Sequence, residues 1–106
     1  MKLLSRSEEI VLLAVWRLGD DAYGVSIRDL VSRLTGHEWT FGSIYVPLDK
    51  LHHKGFLDKT MSKPTSKRGG RAKCLYSLTR SGKVALQEIR RVQAALWKDI
   101  PDVAFD

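Results

Sequence analysis

Cysteine is nearly absent from this chain of 106 residues. The lone Cys74 cannot form an internal disulfide. Such usage fits a reducing cytoplasm. Metal ligands are also scarce. His52 and His53 are adjacent, so on a helix they diverge and cannot chelate as a pair, and only His37 and Cys74 remain to join them. Long hydrophobic runs are missing too. The longest, Ile10 to Trp16, is far short of the roughly 18 residues of a membrane span. Lys2-Leu3-Leu4 resembles a leader start, but Glu8 and Glu9 interrupt it before any adequate apolar region. No glycine-rich phosphate loop follows a strand, and no nucleophile elbow or paired-carboxylate arrangement is present. Neither enzyme activity, a cofactor nor a metal is expected, and no membrane association.

Positive charge is plentiful. The net charge is +6, which favours a polyanionic partner without choosing among DNA, RNA and a membrane surface. The length suits one domain with a modest core.

Thr40 to Leu57 organises the rest. Ile44, Leu48 and Leu51 share one helical stripe. Gly42 or Ser43 is expected to start this helix, and Gly55 to stop it in a left-handed cap after Lys54. Ser43, Val46, Asp49, Lys50 and His53 point away from the stripe, with Tyr45 and Pro47 at its flanks. That mixture suits base reading in a groove, and equally an ordinary solvated face.

An earlier helix is expected over Ser5–Leu18, capped by Ser5 or Ser7, with Glu8 completing a capping box on Ser5. Its segment Ile10–Trp16 is apolar all round and needs cover on more than one side. A second helix enters through Tyr23-Gly24-Val25, with Ser26 as the expected cap. It carries the stripe Ile27, Leu30, Val31 and Leu34, and closes at Gly36. Trp39 and Thr40 read as a very short extended segment. This pair of helices joined by a compact turn is the helix-turn-helix pattern.

Asp58–Ser62 and Lys73–Leu78 read as antiparallel strands, with Cys74, Tyr76 and Leu78 on one face. That placement suggests a buried, inert thiol. The connecting loop carries Lys63, Lys67, Arg68 and Arg71 around Gly69 and Gly70, with no acid. A basic, glycine-rich hairpin tip in this position reads as a wing. Thr79 caps a last helix from Arg80 to about Ile100, ended by Pro101. Ala85, Ile89, Val92 and Leu96 form its stripe, with Trp97 beside it. It is long for so small a domain, so its far end needs a partner.

The expected fold class is therefore α+β and mostly helical: a winged helix-turn-helix over residues 1–79, one long C-terminal dimerisation helix over 80–101, and a frayed tail over 102–106. The residues in this order also resemble the PadR-like family of bacterial transcriptional regulators. The marks are Tyr23-Gly24 with Ile27; Gly42-Ser43-Ile44-Tyr45 with Leu48 and Leu51; Lys54-Gly55-Phe56-Leu57; Gly69-Gly70-Arg71; and Tyr76-Ser77-Leu78-Thr79 before Gly82. One departure is Tyr45-Val46-Pro47, where the family shows Tyr-Pro. The resemblance implies a homodimeric repressor that places the third helix in the major groove and the wing on the backbone or minor groove. It also implies dimerisation through the first and last helices, and in some relatives a small aromatic or hydrophobic effector.

Expected contacts to a palindromic duplex operator are Ser43, Tyr45, Val46, Lys50, His53, Lys54, Lys63, Lys67, Arg68, Gly69, Gly70 and Arg71. The expected dimer interface is Leu12, Val15, Trp16, Ala85, Ile89, Val92, Leu96 and Trp97. Trp16 and Trp97 could line an effector pocket, or serve only in packing. The competing class is a winged helix that binds proteins without reading DNA. The acid-free run Lys63–Lys73 argues against it, since protein interfaces are depleted in lysine. RNA is a weaker rival, because the candidate face offers only Tyr45 for stacking.

Overall fold

Ser5 starts the first helix with a reciprocal cap. Its hydroxyl accepts from the Glu8 amide at 3.1 Å, and the Glu8 carboxylate accepts from the Ser5 amide at 3.0 Å. The computed structural model describes residues 4–62 and 72–104. Its elements are α1 (Arg6–Leu18), a 3-10 turn (Gly19–Asp21), α2 (Gly24–Thr35), α3 (Phe41–His53), β1 (Leu57–Met61), β2 (Cys74–Leu78) and α4 (Arg80–Trp97). This is the mixed, mostly helical winged helix-turn-helix that the patterning predicts.

Several boundaries differ from the sequence reading, each for a local reason. Ser26 is not the cap of α2. Tyr23 takes that position, and Ser26 reaches back from the first turn to accept from the Tyr23 amide at 3.0 Å. Thr40, not Gly42 or Ser43, caps α3, its hydroxyl accepting from the Ser43 amide at 3.1 Å. Trp39 and Thr40 form no strand. The α4 helix ends at Trp97 rather than Ile100, and Asp99 turns into the left-handed region at φ 64°. Pro101 disfavours helical geometry at Ile100, so the helix stops earlier. Gly36 and Gly55 do close α2 and α3, at φ 74° and 79°.

The core is built largely where the apolar stripes predict, although Leu34, the last residue of the α2 stripe, is 56% exposed. Ile27, Leu30 and Val31 of α2 meet Ile44, Leu48 and Leu51 of α3, with Leu57, Tyr76 and Leu86 closing the far side. The helix α1 runs through the middle and packs on α2, α3, β2 and α4. Its apolar circumference is thus largely covered within one protomer. Leu12 and Val15, expected at a dimer interface, are 0% and 1% exposed and have no surface left to offer a partner. Leu13 and Trp16 are the exposed apolar residues of α1.

The two strands pair antiparallel with Leu57 opposite Leu78 and Met61 opposite Cys74. Cys74 is half-buried, less enclosed than its strand face suggests. The Tyr76 amide donates to the Ala22 carbonyl at 2.8 Å, tying β2 to the turn after α1.

A tight junction sets the start of α4. The Thr79 hydroxyl accepts from the Gly82 amide at 3.1 Å and donates to the Gly55 carbonyl at 2.7 Å. A Cβ on Gly82 would overlap the Phe56 carbonyl oxygen, so only glycine permits this approach. Beyond Leu86 the helix leaves the core. Ala85, Ile89 and Val92 are half-buried, whereas Leu96 and Trp97 are 71% and 67% exposed. The radius of gyration, 15.9 Å, exceeds the about 13 Å of a compact domain this size, in keeping with that projection. Residues 101–104 carry no regular structure.

Candidate nucleic-acid interface

The turn between α2 and α3 is pinned by its own side chains. Arg28 Nε donates to the Trp39 carbonyl at 2.6 Å, and Arg28 Nη2 meets Glu38 at 3.2 Å. The same guanidinium lies 4.8 Å from the centre of the Phe41 ring. The Trp39 amide donates to Ser32 Oγ at 3.0 Å, and its indole to Thr35 Oγ1 at 3.1 Å. This arrangement fixes the angle at which α3 is presented. No periodicity in the sequence singled out Arg28.

With Ile44, Pro47, Leu48 and Leu51 buried, the opposite side of α3 faces outward. The helix runs through Pro47 although its ring removes the amide that would bond to Ser43. Gly42, Ser43, Tyr45, Val46, Asp49, Lys50 and His53 are all exposed. The structure therefore brings Ser43, Tyr45, Val46, Lys50 and His53 onto one surface. They are not equally free. The Ser43 hydroxyl donates to the Thr40 carbonyl at 2.7 Å. His53 Nδ1 donates to the Asp49 carbonyl at 2.8 Å, which leaves Nε2 outward. The Tyr45 ring covers Gly24, where a Cβ would overlap its hydroxyl, and stacks 6.3 Å from Phe41. Asp49 would repel a phosphate, but Lys59 Nζ sits 3.4 Å from its carboxylate. Lys50 makes no ion pair among the described residues.

Lys54 borders the same shallow hollow as Val46, Lys50 and His53, but its ammonium reaches to α1, where Nζ lies 2.5 Å from Glu8 Oε2. The Glu8 side chain is 7% exposed and Lys54 32%. Burial on its own would raise the Glu8 carboxyl, but the bonds from Lys54 and Ser5 outweigh it and hold the group below its ordinary value. Lys54 thus ties α3 to α1 through this ion pair. The sequence gives no sign of this pairing, because the partner lies 46 residues away.

The wing residues Lys63, Lys67, Arg68, Gly69, Gly70 and Arg71 lie outside the described residues. At the base of that loop, Lys73 sits 4.1 Å from the centre of the Tyr23 ring. Among the described residues no His, Cys, Asp and Glu side chains group as a metal site, and no helix is long and apolar enough to cross a membrane.

The residues expected at a dimer interface divide. Trp16 is exposed on α1 beside the first turn of α4, with Lys83 5.8 Å from its ring. Trp97 lies about 21 Å further along α4 at the usual helical rise. The two indoles are not brought together within one protomer. Trp16 instead shares a hollow of about 260 Å³ with Leu13 and Leu86. Ala85 and Ile89 line another, of about 440 Å³, with Phe56 and Val84.

Comparison with known proteins agrees with this architecture. No curated protein matches the sequence significantly. Among solved structures, a PadR-like transcription factor from Bacteroides fragilis superposes with a TM-score of 0.71 at 21% identity, covering 84% of this chain and 81% of that one. A PadR-like transcriptional regulator from Bacillus cereus gives 0.69 at 20%, covering 84% and 82%. A PadR family transcription regulator from Clostridium difficile gives 0.66 at 21%, covering 86% and 91%. At these identities the likeness concerns the fold. Residues 12–88 match the model of the transcriptional regulator PadR-like family. The chain belongs to the PadR-like family of transcriptional regulators.

Proposed function

We propose that this DNA-binding regulator works as a cytoplasmic homodimeric repressor that reads a palindromic duplex site. The observation that carries the reading is the outward face of α3. A helix whose apolar side is sealed into the core presents Ser43, Tyr45, Val46, Lys50 and His53 together, on a chain of net charge +6. Base edges are read by such a face, and phosphates by the cations around it. Lys67, Arg68 and Arg71 would supply the phosphate contacts of the wing.

Dimerisation rests on apolar surface that one protomer leaves open. Val84, Leu96, Trp97 and Ile100 near or on α4 are each more than half exposed, and α1 adds Leu13 and Trp16. A two-fold pairing of these residues would bury them and set two reading helices about 34 Å apart, one helical turn of DNA. The hollow beside Trp16 would take a flat hydrophobic effector. Such a ligand regulates only if it prefers one dimer geometry to the other.

Selection of binding sites from random duplex DNA, followed by affinity measurements across a salt series, tests the reading. The expected result is a palindromic site whose affinity falls steeply between about 50 and 200 mM salt. Equal binding to every duplex, or affinity indifferent to salt, would defeat it.

A further inference from the structure

The outward face of α3 is poor in the side chains that usually identify bases. Of the Arg, Lys, Asn and Gln side chains that grip guanine or adenine through paired hydrogen bonds, Phe41 to His53 contains only Lys50, at the edge of the face. The hydroxyl of Ser43 and one nitrogen of His53 are already committed to carbonyls of the helix and its cap. The centre of the face is apolar instead. Gly42 and Val46 lie one turn apart there, and Val46 is 55% exposed. They border one hollow of about 320 Å³ between α3 and the start of α1, which Ser5, Ser7, Glu8 and Lys50 also line. Val46 also borders a second, shallower one towards His53.

A single exposed valine is ordinary. Gly42 makes the combination informative. Each other described glycine has a reason within the protomer. Gly19, Gly36 and Gly55 have positive φ, while Gly24 and Gly82 are pressed against Tyr45 and Phe56. Gly42 has neither. Its φ is not positive, and a Cβ would meet nothing nearer than Thr40 Oγ1 at 3.9 Å. Alanine would favour the helix at that position. The missing side chain therefore leaves room for something outside the protomer.

We propose that Gly42 and Val46 form a receptor for the 5-methyl group of a thymine in the major groove. This rests on the DNA-reading role of α3 and names the base feature read. The thymine methyl is the one apolar group that an unmodified base pair presents in that groove. Val46 supplies the contact, Gly42 lets the base edge come close, and Lys50, one turn on, lies beside the phosphates.

The test uses duplexes selected from random DNA and resynthesised with deoxyuridine in place of each thymine in turn. That change removes one methyl and keeps the hydrogen-bonding edge. For the wild-type chain, affinity should fall about fourfold at one thymine per half-site, equivalent to ~0.8 kcal/mol for one methyl-sized group. Substitution in both half-sites should cost about sixteenfold if the two act independently. Val46→Ser, which lies outside the core, should bind thymine and uracil duplexes alike. Gly42→Ala should melt no lower than wild type yet bind both duplexes more weakly. If the wild type binds its selected duplex and no uracil substitution matters, the receptor is refuted while the regulator reading stands. A uracil penalty that persists in Val46→Ser refutes the assignment to Val46. A chain that selects no duplex loses the functional reading and this inference together.

Discussion

Replacing Lys54 by alanine separates two roles for one cation. The structure spends it on Glu8, whose side chain is 7% exposed and whose other carboxylate oxygen accepts from the Ser5 amide at 3.0 Å. Losing one partner of a fully buried pair costs about 3–5 kcal/mol. Lys54 is 32% exposed, so water screens part of the interaction, and the loss should be nearer that of one charged hydrogen bond, about 2 kcal/mol. Urea unfolding at neutral pH reads this directly, and for a domain of this length Tm should fall by roughly 10 °C. Variant and wild type must be compared at equal concentration, because self-association would add to both values. Acid gives a second reading. The Glu8 carboxyl is held below its ordinary 4.5 when folded, so its stabilising contribution is present above that pH and fades as pH drops through the folded value. In Lys54→Ala, burial is no longer offset by the ammonium, so this acid-sensitive part should shrink. The salt slope of DNA binding should stay at the wild-type value. A variant that unfolds like wild type but whose slope is lower by about 0.9 would show that Lys54 holds a phosphate after all.

Other substitutions probe separate parts of the molecule. Lys50→Ala should leave Tm unchanged and lower the salt slope by about 0.9 if Lys50 neutralises one phosphate; an unchanged slope and affinity would remove it from the interface. Gly82→Ala drives a Cβ into the Phe56 carbonyl, a backbone atom that cannot swing aside, and should destabilise by about 2 kcal/mol or more. Melting at the wild-type temperature would show that the junction is looser than described. Thr79→Ala removes the cap of α4 and the bond to Gly55, at a cost of about 1–2 kcal/mol in chemical denaturation; no loss would mean another group caps the helix. Leu96→Glu alters a side chain 71% exposed in the protomer, so it should leave the fold intact and shift sedimentation from dimer to monomer. A variant that stays dimeric would exclude the end of α4 from the interface.

Periodicity identifies which side of each helix is apolar, and most of the core follows from it, with Leu34 left exposed at the end of α2. Ile44, Leu48 and Leu51, like Ile27, Leu30 and Val31, are buried where their spacing put them. What periodicity cannot supply is the neighbour. The ion pair of Lys54 with Glu8 is invisible in the sequence, because its carboxylate partner is distant along the chain. Arg28 was overlooked for the same reason, since its partners, Glu38 and the Trp39 carbonyl, are defined only by the folded turn. The neighbours matter most for α1. A helix apolar on every side needs cover on more than one side, and α2, α3, β2 and α4 supply most of it within one protomer. Leu12 and Val15 are consumed in that packing, and only Leu13 and Trp16 remain open. The proposed dimer therefore rests mainly on α4, whose last turns carry Leu96 and Trp97 past the core, with Leu13 and Trp16 adding to it from α1. The length of α4, rather than the composition of α1, is the sequence feature that points to a partner.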